Sequence, residues 1–154
     1  MNDDLQQLEE QLNAAKHDAE TLVNGLSEKF GTWHANAASW SVAECLDHLA
    51  TTNCVYLDAM RVPAANALKA GRRGSSKASP GIIGRFFVHA LEPPVNPRLK
   101  GKAAQIILPR LAIPLADASS NFEKSQAKVH AFVREYADID LSGVLFLNPF
   151  VNAS

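Results

Sequence analysis

Four residues constrain this chain more than any others: Ser41-Val42-Ala43-Glu44. A serine followed three positions later by glutamate is a capping box, in which the hydroxyl and the carboxylate each satisfy a backbone N–H that the first helical turn leaves without a partner. Trp40 and Cys45 occupy the flanking positions of a hydrophobic staple. A helix therefore starts at Val42. Its apolar stripe reads Val42, Cys45, Leu46, Leu49, Asn53, Tyr56, Leu57 and Met60 until Pro63, which predicts a kink or a short break before an alanine-rich extension to Ala70.

The segments on either side also read as helices. Leu5, Leu8, Leu12, Ala15, Ala19, Leu22, Leu26 and Phe30 recur at three- and four-residue steps, predicting one long amphipathic helix ended by Gly31. Phe122, Val129, Phe132, Val133 and Tyr136 form the stripe of a later helix that ends near Asp138. It starts either at a second capping box, Ser120 to Glu123, or earlier, near Pro114. Between these helices, Gly71 to Gly81 reads as a loop and Ile82 to Leu91 as a short amphipathic helix. Pro93, Pro94, Pro97 and Pro109 then hold the chain irregular. Val144 to Leu147 is apolar and ambiguous between helix and strand, and no other segment has a strand pattern. The expectation is an all-α single domain over residues 1–154.

Charge is distributed unevenly. Residues 1–58 hold ten acidic and two basic side chains, whereas residues 59–116 hold ten basic and one acidic. The basic middle, which includes Arg61, Arg72, Arg85 and Arg110, either attracts an anionic ligand or is a solvated face. It has neither interleaved aromatics nor a recognised module, so nucleic acid is not expected as a partner. No stretch reaches the roughly 20 apolar residues that cross a bilayer, and Pro149 interrupts the charge-free run from Leu141 to Ser154, so no membrane partner is expected. The acidic Met-Asn-Asp-Asp start predicts a cytoplasmic protein. Cys45 and Cys54, on one helix with Cα atoms roughly 13 Å apart, cannot pair within it.

The string Trp40-Ser-Val-Ala-Glu-Cys-Leu-Asp-His48-Leu-Ala resembles the hallmark of the DinB-like bundles, a tryptophan and capping serine before an E-x-x-x-H-L helix start. The order of the remaining elements, through Pro93-Pro94 and Pro109 to Asn148-Pro149-Phe150, is similar to that family over nearly the whole chain. The resemblance implies a four-helix, up-and-down bundle with a proline-rich segment between the second and third long helices. It also implies a divalent metal of the zinc or nickel type, held by one histidine of the second helix and an H-x-x-x-H pair on the last.

His48 matches the first of these ligands. The pair has no counterpart, because His17, His34, His48, His89 and His130 include no two that are three or four apart, and the sequence ends before that helix. The expectation is a bundle with an incomplete fourth helix, truncated at its C-terminus, whose open groove is covered in a homodimer or by the rest of a longer chain.

Substitute ligands are also conceivable. Cys45, one turn before His48, is either a thiolate ligand or a small buried hydrophobe. His130 and His89 read as solvent-facing. Two functions follow from the resemblance. One is a metal-dependent thiol transferase or hydrolase that uses a small anionic thiol. The other is a non-catalytic scaffold that binds a partner or small ligand in the open groove.

Overall fold

The computed structural model describes residues 3–73, 104–139, 144–147 and 149. The expected loop beyond Arg73, the helix over 82–91 with His89, and Pro93, Pro94 and Pro97 lie outside the described residues.

Four α-helices and a 3-10 turn make up the described structure: α1 (Asp3–Asn24), α2 (Glu28–Gly31), α3 (Val42–Lys69), the 3-10 turn Gln105–Ile107 and α4 (Leu115–Glu135). No strand occurs among the described residues, where the only β-type pairing is an isolated bridge between Arg73 and Ile139. No helix among them is long and apolar enough to cross a membrane.

The seam between α3 and α4 organises the bundle. On α3 the buried apolar residues are Ala43, Leu46, Ala50, Leu57, Ala64 and Ala67, with half-buried Asn53 and Met60 filling the remaining positions. These positions advance by alternating three- and four-residue steps, the spacing of a coiled-coil seam. On α4 the same spacing runs through Leu115, Ala118, Phe122, Ser125, Val129, Phe132 and Tyr136. Alanine on one side and larger residues on the other let the two backbones approach closely while the core stays filled. Ala43, Leu46 and Ala50 cluster with Leu115, Ala118 and Phe122 at one end, and Ala64 and Ala67 with Tyr136 and Ile139 at the other. The two helices therefore run parallel.

A polar rung interrupts this seam: Asn53 Nδ2 donates to Ser125 Oγ at 3.0 Å, and Ser125 Oγ donates to the Phe122 carbonyl at 2.8 Å. A satisfied polar pair between apolar layers favours one register over its neighbours. α1 runs antiparallel to α4. Arg134 meets Glu9 near the start of α1 at 2.9 Å, while Glu28, at the start of α2, accepts from the Leu115 N–H at 2.8 Å. Ala19, Val23 and Leu26 pack this edge onto the lower core. Farther along, Val144 packs on the upper core, and Phe146 sets its ring edge-on to Tyr56 with centroids 6.4 Å apart.

Three expectations are corrected. The first helix does not run to Gly31: it stops at Asn24, turns through Gly25 and restarts after Ser27, leaving Phe30 exposed. Glycine is a poor helix-interior residue and serine a good helix-starting one, so the break falls between them. Of the two outcomes expected at Pro63, the short break does not occur: α3 continues through it, because proline removes only one helical N–H and tertiary packing of Ala64 and Ala67 holds the following turns. The buried stripe of α3 is set by its alanines, so Cys45 and Leu49 are exposed. Of the two starts expected for the later helix, the earlier one is observed: α4 starts at Leu115 behind Pro114, and Ser120 lies inside it. Pro114 suits a helix start because it has no N–H to leave unpaired.

Candidate functional site

The opening turns of α3 concentrate the buried polar chemistry of the described residues. The Ser41–Glu44 capping box forms: the Glu44 N–H donates to Ser41 Oγ at 3.2 Å, and the Ser41 N–H donates to Glu44 Oε2 at 3.0 Å. Glu44 has a second task. His34 Nε2 lies 2.8 Å from the same Oε2, and a carboxylate only accepts, so this nitrogen is the donor. Burial pushes the Glu44 carboxyl up, but the Ser41 N–H, His34 and the Ala112 N–H together outweigh it and hold the group below its ordinary value. The Ala112 backbone sits in the left-handed region at φ 56°, a conformation that costs a non-glycine residue free energy.

Asp47, one turn on and 1% exposed, receives the Arg110 N–H at 2.8 Å. The Arg110 guanidinium reaches it through Nη2 at 2.6 Å and Nε at 3.2 Å. Burial opposes the Asp47 charge, and the side-chain and backbone donors of Arg110 more than compensate, so its carboxyl also sits below the ordinary range.

His48 completes the group. Its Nδ1 is 2.6 Å from the Ile107 carbonyl oxygen. A carbonyl cannot donate, so Nδ1 carries the proton and the lone pair of the neutral ring resides on Nε2. The Trp40 ring lies against the imidazole at a centroid distance of 4.8 Å. Thr52 donates to the His48 backbone carbonyl and not to the ring. Glu44, Asp47 and His48 thus all fasten the segment between Ile107 and Ala112 onto α3.

The other sequence candidates fall elsewhere. Cys45 is exposed, not buried at a staple position. Partial desolvation of its thiol against the helix and the neighbouring Glu44 charge both push its pKa up, which works against a thiolate ligand. His17 is exposed on α1. His130 is half-buried rather than fully solvent-facing: its Nδ1 is buried without a hydrogen-bond partner among the described residues, as is Gln126 Oε1 one turn before it. Among the described residues no three His, Cys, Asp or Glu side chains come together as a metal site. Glu44 and Asp47, the carboxylates closest to His48 along α3, already have their own donors, so the donor set among the described residues does not fit a metal ion.

On the neighbouring flank of α3 a groove of about 330 Å³ opens toward α4. Asp47, Thr51, Cys54 and Asp58 line its α3 wall, Asn121, Lys124 and Lys128 its α4 wall, and Arg110 its end. Its volume lies within the range of small-molecule sites. The lysines were not visible as site residues in a reading of whole-chain charge, because they stand in a segment that is net acidic. Their four-residue spacing on one face was the available signal.

A family model of the DinB superfamily matches residues 11–151 of the chain. No curated protein and no solved structure matches it.

Proposed function

We propose, from the premise that this chain belongs to the DinB superfamily, that it works as a binding bundle, taking a small ligand into the α3–α4 groove without metal chemistry. The use already made of the polar side chains that open α3 carries this reading. Glu44 is committed to Ser41 and His34, Asp47 to Arg110, and the His48 Nδ1–H to Ile107. Withdrawing Glu44 for a metal would leave the N–H of buried Ser41 without its acceptor, at a cost of about 1–3 kcal/mol, and withdrawing Asp47 would break its charge-assisted contacts with Arg110. The groove next to them needs no such sacrifice. The test is zinc and nickel titration of untagged protein, read by calorimetry and by thermal melting. The expected result is no stoichiometric uptake and no rise in Tm. Stoichiometric binding that disappears in His48→Ala would overturn the reading.

A second reading, a metal-dependent thiol S-transferase with His48 as a ligand, has one observation in its favour. An Nδ1–H donated to a backbone carbonyl is the arrangement that orients Nε2 lone pairs in metal sites. A zinc- or nickel-type ion there would lower the pKa of a small anionic thiol, with its remaining ligands drawn from outside the described residues. The same titration separates the two readings.

We also propose a homodimer. Leu111, Leu145 and Leu147, exposed by 79–89%, supply apolar surface for one. The two free cysteines suit a reducing, cytoplasmic setting. A monomeric mass by light scattering across the micromolar range would dismiss the dimer.

A further inference from the structure

The α4 wall of the groove carries an electrostatic arrangement that the fold does not require. Lys124 and Lys128 are four residues apart on one helix, and both line the groove. Like charges at that spacing destabilise a helix. Sequence offers them no relief along α4: the positions three and four away from Lys124 are Ser120, Asn121, Ala127 and Lys128, and those around Lys128 are Lys124, Ser125, Ala131 and Phe132.

Nor does any ion pair among the described residues neutralise them. Among the described residues the ion pairs are Lys16–Glu20, His34–Glu44, Arg110–Asp47 and Arg134–Glu9, and neither groove lysine is in one. Among the described residues Lys128 Nζ has the Cys54 sulfur within hydrogen-bonding distance, at 4.0 Å. At the end of the groove Arg110 spends Nε and Nη2 on Asp47 while its side chain stays 65% exposed, which leaves Nη1 for another acceptor. Asp58 is the remaining carboxylate of the lining, one turn beyond Cys54. The cationic part of the groove is therefore the stretch between Arg110 and Lys128, with Thr51 and Asn121 as neutral donors beside it.

We infer that this stretch is a binding site for a compact dianion, held between the ammonium groups of Lys124 and Lys128 and closed at one end by Arg110. Four helical residues rise about 6 Å, which matches the separation of two carboxylates on a short chain and also lets both lysines converge on a single phosphate. The anion relieves the Lys–Lys repulsion that the helix otherwise bears. Asp58 sets the upper limit of the site by repelling an anion placed beyond Lys128. This assignment rests on the reading of the groove as a ligand site and names the class of ligand it takes.

Cys54 lies in the wall of the site and reports on it. The chain has two cysteines, so Cys45→Ser isolates Cys54, and Cys54→Ser isolates the exposed Cys45 as a control. Each is reacted with the dianionic dithiobis(nitrobenzoate) and with the neutral dithiodipyridine. The cysteine thiolate attacks one disulfide sulfur, a protein–aryl disulfide forms and the other aryl thiolate leaves, carrying the electron pair and the colour that is measured.

Because Glu44 adjoins Cys45 and repels anions there, the decisive comparison is among lysine variants in the Cys45→Ser background. The expected preference of Cys54 for the dianionic reagent is about tenfold at low salt. It should fall several-fold in Lys124→Gln/Lys128→Gln and persist in Lys124→Arg/Lys128→Arg. Succinate or inorganic phosphate should slow the dianionic reagent more than chloride does at the same ionic strength. A preference indifferent to the lysines, or protection by chloride equal to that by phosphate, overturns the assignment. Metal binding through His48 would refute the metal-free function and leave this lysine dependence standing, so the two failures are distinguishable.

Discussion

Replacing Asp47 by asparagine tests whether the buried carboxylates of α3 act as anchors for the segment that precedes α4. Asparagine keeps the shape and can still accept the Arg110 N–H, so the change removes charge and leaves one hydrogen bond in place. What is lost is the charge-assisted contact of Asp47 with Nη2 and Nε of Arg110. Hydrogen bonds to charged groups contribute about 1.5–3 kcal/mol. Because the Arg110 side chain is 65% exposed, water recovers part of that, and the expected cost is about 1.5–2 kcal/mol.

The reciprocal change is not equivalent. Arg110→Ala leaves Asp47, 1% exposed in the intact fold, with a backbone N–H as its remaining partner; truncating one side of a fully buried pair costs about 3–5 kcal/mol, and with Arg110 65% exposed the expected cost lies at the lower end of that range. Thermal melts followed by far-UV circular dichroism should show losses of roughly 3–8 °C for Asp47→Asn and a larger loss for Arg110→Ala, at about 2–4 °C per kcal/mol for a chain of this size. The double variant should recover part of the sum. If Arg110→Ala is the milder change, or if the two effects add within about 0.5 kcal/mol, then Asp47 is not a charge held in place by Arg110 and the anchoring argument is wrong.

The pH dependence follows from the same groups. Glu44 and Asp47 both have depressed pKa values, so their stabilisation is fully present above the ordinary carboxylate range and disappears as pH falls below about 4. Chemical denaturation between pH 3 and 6 should show it, and a flat profile that persists in Asp47→Asn would count against both assignments. Gly31→Val should destabilise by about 1–3 kcal/mol, because a Cβ at Gly31 would lie 2.9 Å from Leu115 Cγ, whose side chain is buried. Denaturant unfolding checks it, and a neutral result would mean that α2 shifts freely off the start of α4. Asn53→Leu with Ser125→Ala should be near neutral in stability, since both polar partners go together. Loss of a single sharp set of methyl resonances in that variant would mark the rung as the determinant of register, while an unchanged spectrum would remove that role.

The start of α3 was legible because the capping box is a local device: Ser41 and Glu44 need only each other's backbone. The all-α class was legible for a similar reason, since helical periodicity lies within single segments. The phase of α3 was not. Alanines at positions 43, 50, 64 and 67 form its buried face, and a reading weighted toward large apolar residues selected Cys45 and Leu49 instead. A small residue is buried by what approaches it, which only the partner helix determines.

The site divides along the same line. His48 was identifiable from its motif, but its tautomer depends on Ile107, far along the chain, and Arg110 could be seen only as one member of a basic block until the fold brought it to Asp47. The continuity of α3 through Pro63 likewise comes from packing at Ala64 and Ala67, a tertiary effect that overrides a local preference.

The parallel pairing of α3 and α4 also has a consequence for synthesis on the ribosome. Antiparallel neighbours can zip together as soon as a short turn is made, whereas this seam waits until the chain from Ala70 to Pro114 has been traversed. Closing a connection of that length costs about 3 kcal/mol of chain entropy before any seam contact repays it. α1 packs mainly on α4 as well. During translation the first three helices therefore emerge without their main partner, and α3 presents its alanine face to whatever surrounds the nascent chain until α4 arrives and completes both interfaces.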